Sequence, residues 1–105
     1  MSTFDKRQDG FEKKFAHDEE LRFKANARRN KLLGLWAAGL LGKSGADAEA
    51  YAHDVVTSDL KEAGDQDVFD KVRADFDAAG VEQSDHQLRR TMDELMEEAI
   101  RQLQS

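Results

Sequence analysis

The sequence predicts an all-α fold: a four-helix bundle with a long first helix and a mobile amino-terminal arm. Three observations point there. The 105 residues contain no proline and no cysteine, so nothing breaks a helix from within and no disulfide framework or thiolate zinc site shapes the chain. Alanine, leucine, glutamate, lysine, arginine and glutamine, the strongest helix formers, are abundant. Apolar residues recur at helical spacing in blocks separated by short glycine-bearing connections, the pattern of a compact bundle. The length suits one domain with a core of marginal size.

The first block, Phe11–Leu41, reads as one helix of roughly 45 Å. Its front half alternates phenylalanine with dense charge, and its back half, from Leu32, is almost purely apolar. Such a helix buries its back half and displays its front. The arm is predicted over residues 1–16 and the bundle over 17–105, with helices near 17–41, 46–63, 67–79 and 85–103. Asp18 and Arg22, and Glu20 and Lys24, stand four apart with the acid first, the favourable order for ion pairs. Leu21, Ala25, Leu32 and Trp36 form a rising stripe expected to face the core. Phe23 lies well round from that stripe and is expected on a second core face, an exposed binding residue being the other reading. Arg28-Arg29 reads as a solvated pair. Gly34 and Gly39 cost helix stability relative to alanine, so a close neighbouring helix is expected at both.

Gly42-Lys43-Ser44-Gly45 supplies a glycine stop, a basic last turn and an N-cap for the second helix. There Ala48, Tyr51, Ala52, Val55, Val56, Leu60 and Ala63 keep helical spacing, and Gly64 ends the run. In the third helix Val68, Phe69, Val72, Phe76 and Ala79 are expected inward, with Asp65 as cap and Gly80 as stop. Ser84 followed by Gln87 fits a capping box for the fourth helix. Its apolar face is Leu88, Met92, Leu95, Met96, Ala99 and Leu103.

Charge is polarised along the chain. Residues 4–31 carry nine Lys/Arg against six Asp/Glu, and residues 32–105 carry seven against sixteen. A solvated surface is the plain reading; the sharper one is a basic arm aimed at an acidic partner and an acidic body that repels nucleic acid. The basic stretch is diluted by its own acids and its aromatics follow one stripe, so no nucleic-acid surface is expected. The charged start MSTFDKRQDG is not a secretory signal, and no apolar run is long enough to insert in a bilayer. A cytoplasmic location follows as the expectation, with the free protein a monomer. Phe4, Phe11 and Phe15 are spaced by seven and four residues and share one face if the segment becomes helical. That segment cannot hold a helix alone in water. Its rings therefore fit either a groove on a partner or the protein's own bundle.

Two motifs invite catalytic readings. Ala37–Ser44 matches the relaxed form of a phosphate-binding loop, with Gly42, Lys43 and Ser44 at its end. The loop chemistry requires a preceding strand, and LLGLWAA continues a helical stripe instead. What survives is weak phosphate or nucleotide contact at the start of the second helix, as in a small helical binding module. His17-Asp18 and His53-Asp54 resemble fragments of a metal hydrolase, but adjacent helical residues point about 100° apart. No metal, no cofactor and no catalytic residue are expected, and the chain is not expected to be an enzyme.

The run FEKKFAHDEELRFKANARRNKLLGLWAA, residues 11–38, resembles the signature of the zeta-subunit family of α-proteobacterial F-type ATP synthases, and the likeness extends over essentially the whole chain. The resemblance implies a four-helix bundle with a mobile amino-terminal inhibitory segment. It also implies that this segment enters the catalytic head between α and β subunits near γ and blocks ATP hydrolysis, so that the protein sits peripherally on the membrane-bound enzyme. Carried over by position, the segment is about residues 2–19. Phe4, Phe11 and Phe15 are the expected apolar contacts, and Lys6, Arg7, Lys13 and Lys14 face acidic subunit surfaces.

Overall fold

A computed structural model describes residues 18–59 and 65–104. Four helices make up the described chain: α1 (Glu19–Leu40), α2 (Gly45–Ser58), α3 (Gln66–Ala79) and α4 (Asp85–Gln104). Helix α1 is the spine and packs most extensively on α2 and α4, while α3 closes the bundle against α2 and α4.

The start of α1 departs from the single long helix expected from Phe11. Asp18 has extended backbone, φ −108° and ψ 105°, and its side chain accepts the Leu21 amide at 3.1 Å. An N-cap carboxylate satisfies an amide that the helix leaves free and ends the helix at that point. Glu19 and Glu20 then place negative charge in the first turn, where the helix dipole favours it. Glu20 also pairs with Lys24 at 3.1 Å. Asp18 serves as the cap and forms no ion pair with Arg22 among the described residues.

The other helix ends follow local rules. After α1 the Lys43 amide donates to the Ala38 carbonyl at 2.8 Å and the Gly42 amide to Gly39 at 3.2 Å. Gly42 adopts φ +79°, the left-handed geometry that this closure requires. Helix α3 ends the same way, with Val81 donating to Phe76 at 2.9 Å and Gly80 at φ +71°. Ser84 and Gln87 form the reciprocal box expected at the start of α4: the Gln87 amide donates to Ser84 Oγ at 3.0 Å, and the Ser84 amide to Gln87 Oε1 at 2.8 Å. Asp65 stands at the N-cap of α3 without capping through its side chain. It accepts instead from Arg89 on α4 at 2.8 Å. Helix α2 stops at Ser58, short of the expected 63; Leu60 and Ala63 lie outside the described residues.

The core gathers Leu33, Ala37 and Ala38 of α1, Tyr51 and Val55 of α2, Val68, Phe69, Val72 and Phe76 of α3, and Leu88 and Met92 of α4. Trp36 meets Phe76 edge-on at 5.7 Å. Ala79, expected inward, is exposed. The buried face of α1 runs through Ala25, Arg29, Leu33 and Ala37, with Asn30, Gly34 and Ala38 beside it. That is rotated from the expected stripe, whose Leu21, Leu32 and Trp36 are only half-buried. The rotation is set at Gly34. A Cβ there would stand 2.5 Å from the Ala52 Cα, so α1 and α2 touch backbone to backbone. Gly39 has no neighbour within 4 Å of such a Cβ, and the close approach expected there does not occur.

Candidate partner-binding site

Phe4, Lys6, Arg7, Phe11, Lys13, Lys14 and Phe15 lie outside the described residues. The structure does describe the root from which they extend. Asp18 ends α1, and the first exposed turns of α1 follow directly. Phe23 is 62% exposed there, against the expectation of a second core face. Its ring stands at one end of a groove of about 620 Å³ lined by α1, by Val56 of α2 and by Gln102 and Leu103 of α4. Arg28 is exposed and donates to Gln102 at 3.0 Å, tying α1 to the end of α4.

Arg29, read as half of a solvated pair, is only 4% exposed. Its Nε donates to Asn30 Oδ1 at 2.6 Å. Burial lowers the pKa of its guanidinium, while Asp65, Asp59 and Asp93 nearby favour the charge. The signal that finds Arg29 in the sequence is its spacing of four from both Ala25 and Leu33. A buried charge costs several kcal/mol unless compensated, and these carboxylates offset that cost in part.

Asp59, the C-cap of α2, shares this region. Burial raises its carboxyl pKa above the ordinary 3.8, opposed by Asn30 and Arg29. A carboxyl whose folded pKa lies above its unfolded value opposes folding once both states are ionised. That opposition fades as pH falls through the folded value towards the unfolded one. A negative charge at a helix C-terminus acts in the same direction. Asp59→Asn is therefore expected to raise the unfolding midpoint at pH 7, and its advantage to shrink on acidification towards the ordinary carboxylate range. Thermal unfolding of both proteins across that pH range checks this, and a variant less stable at pH 7 contradicts it.

Gly42, Lys43 and Ser44 form the link between α1 and α2, preceded by helix. Lys43 lies 6.0 Å from the centre of the Tyr51 ring and Lys71 5.1 Å from it. Tyr51 Oη donates to Asp75 Oδ2 at 2.8 Å, and Lys71 Nζ donates to the same oxygen at 3.1 Å. Burial and this hydrogen bond push the Tyr51 phenol well above its ordinary range. Tyr51 is thus fixed as a neutral donor holding α2 to α3. His53 and His86 are exposed on different helices, and the described residues contain no group of three metal-ligating side chains. Among the described residues no helix is long and apolar enough to cross a membrane.

Comparison with known proteins adds the identity of this scaffold. Four chains of solved structures match. One, a protein solved by solution NMR, is 48% identical, with a TM-score of 0.71, covering 80% of this chain and 95% of its own. No curated protein matches. A profile of the family described as ATPase inhibitor subunit zeta matches residues 1–102. The chain belongs to the ATPase inhibitor subunit zeta family.

Proposed function

We propose that this subunit blocks ATP hydrolysis by F-type ATP synthase through its amino-terminal segment, which enters the catalytic head at an interface of α, β and γ subunits. The observation that carries the reading is the cap at Asp18. It starts the bundle's first helix two residues past the predicted arm, and the core of the body is closed by residues of the four helices. The family match supports it by including residues 1–17. Phe4, Phe11 and Phe15 enter a hydrophobic crevice as the segment becomes helical. Lys6, Arg7, Lys13 and Lys14 meet acidic subunit surfaces, and the acidic body remains in the cytoplasm, peripheral on the membrane-bound enzyme. The role is regulatory and uses no cofactor. The test is ATP hydrolysis by the purified catalytic head with the full chain and with a chain lacking residues 1–14. Inhibition by the full chain and its loss on deletion are expected; equal inhibition by both overturns the reading.

A further inference from the structure

Beside the root of the arm, a groove runs between α1 and the end of α4. Along α1 it presents Phe23, Ala27, Leu32 and Leu35, flanked by Lys24, Arg28 and Lys31. From Phe23 to Leu35 the stripe is about 18 Å long, some three helical turns. Among the described residues, three cations and no carboxylate line it, Lys24 being paired with Glu20 at 3.1 Å, on a protein whose formal net charge is −6. An exposed aromatic beside an apolar floor with a basic rim is the composition of a helix-binding groove.

We propose that this groove docks an acidic amphipathic helix of the ATPase, as a second contact distinct from the arm. The proposal rests on the inhibitory reading for its partner, but not on the arm's role. Charge selects the occupant. The chain's own residues 1–17 carry Lys6, Arg7, Lys13 and Lys14 against Asp5, Asp9 and Glu12, a net positive segment that a basic rim disfavours. A second copy offers the acidic helix α4, but its apolar residues Leu88, Met92 and Ala99 are buried in its own bundle. An acidic amphipathic helix on another protein satisfies both the floor and the rim. Because Phe23 stands one turn beyond the Asp18 cap, a partner that holds the arm meets the groove next.

The experiment places a photo-crosslinking phenylalanine analogue at position 23 of the full chain and irradiates it with the purified catalytic head. In parallel, the K24E/R28E/K31E triple variant is measured for binding to the same head. The expected results are a crosslink to an acidic amphipathic helix of a head subunit and binding weakened about tenfold or more by the triple variant. A crosslink to residues 1–17 of the chain itself, to a second copy or to a non-acidic segment overturns the proposal, as does no crosslink. Unchanged binding by a folded triple variant also overturns it. Should that variant unfold, the crosslink alone decides. The chain lacking residues 1–14, carrying the same analogue, separates the two readings. At head concentrations that saturate the truncated chain, retained crosslinking with lost inhibition upholds both; lost crosslinking there overturns the groove, and retained inhibition overturns the arm.

Discussion

Replacing Gly34 with alanine is expected to lower the unfolding midpoint by roughly 10 °C, while the same replacement at Gly39 raises it by a few degrees. Both glycines lie within α1, and both substitutions add the same methyl group. Alanine improves helix propensity by about 1 kcal/mol in each case. At Gly39 nothing lies within 4 Å of the new Cβ, so the gain stands. At Gly34 the methyl meets the Ala52 Cα at 2.5 Å, the Ala52 Cβ at 3.0 Å and the Val55 Cβ at 3.3 Å. The nearest atom is backbone and cannot rotate away, so α2 must move off α1 as a unit. Overpacking of this kind costs about 1–3 kcal/mol or more, and here the upper end applies because the main helix pair of the bundle separates. In a domain of this size each 1 kcal/mol shifts the midpoint by roughly 4–8 °C. Thermal unfolding of the two variants beside wild type checks the contrast. Equal shifts at both positions would show that α1 and α2 do not meet at Gly34.

The largest functional effect is expected from removing residues 1–14. Two of the three proposed ring contacts, Phe4 and Phe11, go with them, as do Lys6, Arg7, Lys13 and Lys14. Each phenylalanine buried in a partner contributes about 1.5–3 kcal/mol. Losing two weakens inhibition by at least about a hundredfold, since each 1.4 kcal/mol is tenfold in affinity. The unfolding midpoint is expected to stay within a few degrees of wild type, because the core of Leu33, Val55, Phe76, Leu88 and Met92 is drawn from α1 to α4. Loss of inhibition together with a large drop in midpoint would instead make the segment a structural part of the body.

Local signals in the sequence predicted the ends of α1 and α3 and the start of α4. The glycines at 42 and 80 and the Ser84–Gln87 box act over three or four residues, so their chemistry is complete in the sequence. The close approach at Gly34 was legible as a cost that needed a reason. The face of α1 was not. Its back half, LLGLWAAGLL, is apolar all round, and periodicity carries no contrast where every position is apolar. Only packing against Ala52 and Val55 selects Leu33 over Leu32. Burial of Arg29 was hidden for a related reason. Its compensating carboxylates come from Asp59, Asp65 and Asp93, remote in sequence and adjacent only after folding. Phe23 was misplaced because an aromatic on a mostly polar helix face looks like a core residue, and among the described residues it is left 62% exposed.

Amide hydrogen exchange along residues 2–19 of the full chain, free and bound to the catalytic head, tests the central claim most directly. Exchange near unstructured rates is expected up to Asp18 in the free protein, with protection of residues 2–17 appearing only in the complex. Protection of the amides around Phe4, Phe11 and Phe15 in the free protein, unchanged on binding, would contradict it.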